Sequence, residues 1–136
     1  MEMTQEMVMS SFQMGRLIDA MSFIGTIIAI WLALRIANMS GENPDSNLIS
    51  KIFSTGFGLC VMAGSYMQFT FAANTWIFAA RNTEEIMDKV ANPERAQAFI
   101  DYVGTTTTAT TPTPLGIAFL AIITIMIVTL IWVPRK

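Results

Sequence analysis

Charged residues punctuate this chain unevenly and leave three long apolar stretches between them. The first lies between Asp19 and Arg35 and widens to about residues 17–37 if those two side chains reach outward to water. The second, residues 52–80, is bounded by Lys51 and Arg81, and the third, residues 115–133, by Pro114 and Pro134. A bilayer core of about 30 Å asks for about 20 helical residues, and each stretch qualifies. At about 1.5 Å per residue the second covers roughly 44 Å, so it must tilt or its ends must leave the hydrocarbon. The pattern predicts an all-α fold in which residues 1–136 form a single polytopic membrane domain with three transmembrane helices.

The segments between the spans carry their own signals. Residues 38–51 contain Gly41, Asn43-Pro44 and Asp45, all turn formers, and a connection this short predicts an antiparallel hairpin of spans one and two. Thr83 is placed to cap a short helix beginning at Glu84-Glu85. Asn92-Pro93 then starts another helix over about 93–103, with Asn as the cap and Pro in the first turn, and Gly104 ends it. Its residues Ala96, Phe99, Ile100 and Val103 recur at helical spacing opposite Glu94, Arg95, Gln97 and Asp101. That amphipathic pattern suits a helix lying on the membrane surface, on a partner, or over its own bundle. Residues 105–114 read TTTTATTPTP, in which β-branched residues and prolines predict an extended linker.

Small residues suggest how the spans pack. Span one places Gly25, Ala29, Ala33 and Ala37 at four-residue intervals, and span two does the same with Gly56, Cys60, Gly64, Gln68 and Ala72. In lipid, helices gain little from burying apolar surface against one another, and close approach through such stripes supplies the packing instead. The expectation is that Gly25, Ala29 and Ala33 face Gly56, Cys60 and Gly64 inside the hairpin. The alternative is that one stripe docks onto another subunit. Span three is bulky nearly all round, which suits a peripheral, lipid-facing helix that need not touch the hairpin. Trp31, Trp76 and Trp132 lie near span ends, as interfacial anchors do.

Composition narrows the chemistry. Apolar residues make up 53% of the chain and charged residues only 13%. A soluble domain of this size has too little interior for that much apolar surface. There is no histidine and one cysteine, which removes imidazole chemistry, disulfides within the chain and most zinc, haem and iron–sulfur sites. Cys60, in an apolar stretch, reads as a small inert packing residue. The net charge is −2 with dispersed basic residues, so no nucleic-acid surface is expected. Within the spans Gln68 and Asn74 are the polar groups, expected to make interhelical hydrogen bonds. Asp19 is expected to pair with Arg16 three residues away, with Arg81 also in reach across the hairpin. Methionine supplies the remaining candidate ligand. Met3, Met7, Met14 and Met21 form one helical stripe of soft thioethers, the ligand type that suits copper(I).

Positive charges do not decide the orientation. Arg16, Arg81, Lys89 and Arg95 fall on one side, and Arg35, Lys51, Arg135 and Lys136 on the other. The Thr-rich loop and the terminal Pro-Arg-Lys favour N-out and C-in, in a bacterial or organellar inner membrane. The acidic N-terminus argues for a retained first helix instead of a cleaved leader. The chain then reads as a non-catalytic accessory subunit of a larger membrane complex, of respiratory, photosynthetic or membrane-monooxygenase type. It is expected to carry no cofactor of its own, to bind lipids, and to assemble with other membrane subunits. The alternatives are a small homo-oligomeric conduit or transporter and a Met-based copper(I)-handling protein.

Overall fold

The computed structural model describes residues 3–134 of the chain. Among these the fold is all-helical: α1 (Gln5–Glu42), α2 (Leu48–Glu85), a single 3₁₀ turn at Met87–Lys89, α3 (Pro93–Val103) and α4 (Pro114–Trp132). Three of them, α1, α2 and α4, are long and apolar enough to cross a membrane. Each α-helix opens on a side-chain cap of the kind the sequence favours. Thr4 Oγ1 accepts from the Met7 amide, the Asn47 side chain from Ser50, the Asn92 side chain from Arg95, and Thr113 Oγ1 from Gly116. α3 has the expected bounds and closes on Gly104 with φ of 79°, a left-handed conformation that glycine adopts without strain.

α1 and α2 form the expected antiparallel hairpin, but each is 38 residues long, roughly 57 Å, and so much longer than its charge-free stretch. Charge spacing marks where a helix can lie in lipid, and it does not mark where the helix ends. The flanking Gln, Glu, Met, Ala and Arg residues are good helix formers, and they carry both helices onward. The turn accordingly shrinks to residues 43–47, with the Asp45 amide bonded to Asn43 Oδ1. Gly41 is not a turn residue. It lies inside α1, where a Cβ would collide with the Leu130 carbonyl of α4. Thr83 likewise starts no new helix, for α2 runs through it to Glu85 and its hydroxyl donates to the Ala79 carbonyl.

The pairing face of the hairpin differs from expectation. Gly25, Gly56 and Gly64 look into open space, and Cys60 is exposed. Of the expected face, Ala29 is half-buried and Ala33 alone is fully inside. In the half of the hairpin nearer the turn the buried residues are Ile30, Ala33, Ala37 and Ser40 on α1, and Ser54, Gly58, Met62 and Ser65 on α2. Small residues occupy two faces of α2, and four-residue spacing alone does not choose between them. The packing of α4 does.

α4 is not peripheral. Leu120, Ile123, Ile127 and Ile131 form one stripe that enters the groove of the hairpin. Ile127 and Ile131 are each only 1% exposed. Gly58 lets this happen, since a Cβ there would stand 2.8 Å from Ile127 Cγ2. Bulky β-branched side chains from α4 thus fill the space left by Gly58, Ala33 and Ala37, and the α4 backbone closes on Gly41.

α4 accompanies only part of the hairpin. Its first turn lies beside Phe69, and its last residue, Trp132, donates from Nε1 to Thr55 Oγ1 at 3.0 Å. Beyond Phe69 the hairpin continues with the first turns of α1 and the last turns of α2. There the helices still pack closely, with a Cβ on Gly15 placed 2.8 Å from Thr75 Cγ2. α3 and the linker pack on this end, around Phe12, Trp76 and Phe99. The linker is non-helical, as the Thr/Pro sequence predicts.

Candidate functional site

The richest meeting of side chains lies where the three-helix part gives way to the bare hairpin. Phe12 of α1 packs edge-on against Trp76 of α2, with centroids 5.0 Å apart, and against Phe99 of α3 at 5.7 Å. Tyr102 reaches the same indole at 5.9 Å while remaining largely exposed. One turn along α1, Arg16 lays its guanidinium over Trp76, 5.1 Å from the ring centre. The same guanidinium donates to Asp19 Oδ2 at 3.3 Å, the local pair expected from the sequence. Asp19 is buried and Arg16 is partly exposed. Arg81 does not join them, and its guanidinium instead lies 5.0 Å from the Phe78 ring.

Asn74 does something the sequence did not suggest. Its Nδ2 donates to the Ala109 carbonyl at 2.9 Å, and its Oδ1 accepts from the Ala109 amide at 2.8 Å. A primary amide has both a donor and an acceptor, so it pairs with both main-chain groups of one residue much as a neighbouring strand would. The partner is the linker, not another helix. Asn74 is buried, and the paired bonds hold residues 105–113 against α2. A polar residue at the end of an apolar run is the only sequence signal for this clamp, and it does not name the partner.

Below Arg16 a groove of about 520 Å³ opens between α1, α2 and the start of α4. Its walls are almost wholly apolar, with Phe23, Ile27, Phe69 and Phe119 among them, and Arg16 and Trp76 stand at one end. A second groove of about 550 Å³ runs between α2 and α4, lined by Met62, Tyr66, Met67, Ile117, Leu120 and Thr124 among others, with no charged residue.

The other candidate groups are dispersed. Gln68 is half-buried on α2, and its side chain makes no hydrogen bond to another described residue. Met7, Met14 and Met21 are exposed along α1, and successive members stand about 10 Å apart along the axis, a spacing that does not bring three sulfurs to one ion. Met3 precedes the helix cap. Among the described residues no three His, Cys, Asp or Glu side chains cluster as a metal site. The hydroxyls of Thr55, Ser65, Thr70, Thr75 and Thr124 each donate to a carbonyl four residues back on their own helix, which satisfies them without a partner helix.

Tryptophan and cation recur as pairs. Trp132 lies with Lys51 at 5.8 Å at the turn end of the bundle, and Trp31 with Arg35 at 5.6 Å about 15 Å back along α1 from Gly41. The Trp76–Arg16 pair marks the other end of α4. No protein-family model, no curated protein and no solved structure matches the chain.

Proposed function

We propose that the chain is an integral membrane protein acting as a non-catalytic accessory subunit of a larger multi-subunit membrane complex. The bilayer is placed along α4, whose 19 residues measure roughly 28 Å, close to the hydrocarbon thickness. The Trp132–Lys51 and Trp76–Arg16 pairs then fall toward its two faces, where aromatic and basic anchors are favoured. In this placement the charge-free part of α1 lies in lipid, and the first turns of α1, the end of α2, α3 and the linker stand outside it.

One observation carries the subunit role. Met7, Met9 and Met14 are 41%, 52% and 58% exposed on the part of α1 that lies beyond α4. Lipid does not cover them there, and adaptable methionine surface of this kind is used to pack against protein. Within the bilayer, Gly56, Cys60 and Gly64 add an open small-residue face on α2, the type of surface on which another membrane helix packs closely. A conduit needs a polar lining, and the span hydroxyls turned onto their own helices supply none. A copper(I) carrier needs converging sulfurs, and the methionines run in a row. The complex type remains that of the sequence reading: respiratory, photosynthetic or membrane-monooxygenase.

The test is native electrophoresis of mildly solubilised membranes probed for this chain. Migration with a large heteromeric assembly supports the subunit role. Migration as a small multiple of the 15.0 kDa chain overturns it in favour of a homo-oligomer.

A further inference from the structure

The groove beneath Arg16 has the two-part chemistry of a single amphiphile. Its body is apolar and walled by rings from three helices: Phe23 of α1, Phe69 of α2 and Phe119 of α4. Phe69 lies 6.0 Å from Phe23 and 6.1 Å from Phe119 between ring centres, so the wall is continuous. Its end is cationic. Arg16 is fixed from two directions, by the Trp76 face and by Asp19, yet its side chain is 41% exposed. A guanidinium has five N–H donors, and the bond to Asp19 uses one at 3.3 Å. The remaining donors are free for an oxyanion, and a planar guanidinium is well matched to phosphate.

From this we infer that the groove is a binding site for one anionic phospholipid, with an acyl chain between Phe23, Phe69 and Phe119 and the phosphodiester on Arg16. The inference rests on the bilayer placement along α4 and not on the subunit role. That placement sets Arg16 at headgroup depth and the ring-lined wall at acyl depth. The occupant is a lipid and not a soluble phosphate, because a phosphate alone would leave the apolar wall uncovered. The α2–α4 groove is an internal control. It has a similar volume and an apolar wall but no charge, so it has no means of preferring an anionic headgroup. Asp19 tempers the site: its carboxylate competes for the guanidinium and repels an incoming phosphodiester.

The full chain is reconstituted in nanodiscs of equal parts phosphatidylglycerol and phosphatidylcholine, released, and its retained lipids are counted by native mass spectrometry. One phosphatidylglycerol is expected to be retained in preference to phosphatidylcholine by roughly fivefold, about what one basic residue contributes at a membrane surface. Arg16→Gln should bring the ratio to that of the bulk, Arg16→Lys should keep part of it, and Asp19→Asn should raise it. Ala73→Phe, which fills the groove wall, should remove the retained lipid whatever its headgroup, and circular dichroism of each variant checks that the helices persist. Unchanged enrichment in Arg16→Gln, or an unchanged lipid count in a folded Ala73→Phe, overturns the site. Failure of the wild-type chain to enter nanodiscs overturns the bilayer placement and the site together.

Discussion

The two ends of this hairpin are held together by different means. At the turn end three helices pack, and cohesion comes from shape: Ile127 and Ile131 of α4 sit against the gaps left by Gly58, Ala33 and Ala37, and Gly41 admits the α4 backbone. At the other end two helices continue without α4. There cohesion comes from an aromatic cluster of Phe12, Trp76 and Phe99, from the Arg16 guanidinium lying over Trp76, and from the Asn74–Ala109 clamp that holds the linker on α2. In the proposed bilayer placement the contrast follows from solvent. In lipid the cheapest way to join helices is to remove side-chain bulk, because neither apolar burial nor exposed polarity helps. In water, rings gain from burial and polar groups have somewhere to go when unpaired. Both ends hold a close glycine contact, Gly58 on Ile127 at the first and Gly15 on Thr75 at the second, but only the second also depends on a specific polar partner.

The largest effect is expected from Ile127→Ala, which empties the centre of the three-helix part. It should lower the stability of the detergent-solubilised chain by about 2–5 kcal/mol, measured by reversible unfolding in a graded mixture of mild and denaturing detergent. Gly41→Ala comes next. The added methyl meets a backbone carbonyl that has no rotamer to yield, and a loss of about 1–3 kcal/mol is expected by the same measurement. A full-strength response to Ile127→Ala with none to Gly41→Ala would mean that α4 docks but does not approach α1 as closely as described.

Asn74→Leu probes the other end. Removing both bonds to Ala109 should cost about 1–3 kcal/mol locally and speed amide hydrogen exchange across residues 105–113, while α4 stays protected. Equal loss of protection in α4 would show that the two ends unfold as one unit, against the comparison. The smallest effect on the chain itself is expected from Gly64→Leu, within about 0.5 kcal/mol of wild type, because nothing stands within 4 Å of the added Cβ.

Gly58 and Gly64 show where the sequence was legible and where it was not. The three long apolar helices, the hairpin, the Asn92-Pro93 start and Gly104 stop of α3, and the non-helical linker follow from local rules of charge, capping and turn chemistry, and all were readable. Which face of α2 turns inward was not, because small residues at 54, 58 and 65 compete with those at 56, 60 and 64, and only the position of α4 decides. α4 itself misled for a related reason: a helix that is bulky all round in lipid looks the same whether it faces acyl chains or fills a groove. Of the site, the Arg16–Asp19 pair was visible at helical spacing. Its stacking on Trp76 was not, since that residue comes from the other arm of the hairpin. The Asn74–Ala109 clamp joins residues 35 apart in sequence, and no pattern in either segment announces it.

The subunit role is tested most directly by comparing Gly64→Leu with wild type on a native gel of mildly solubilised membranes. The account predicts that the wild-type chain migrates with a large heteromeric complex. The Gly64→Leu chain should accumulate to the same level and keep its own fold, but be depleted from that complex. Wild-type migration as a small homo-oligomer, or undiminished incorporation of both Gly64→Leu and a variant with Met7, Met9 and Met14 changed to Gln, would contradict it.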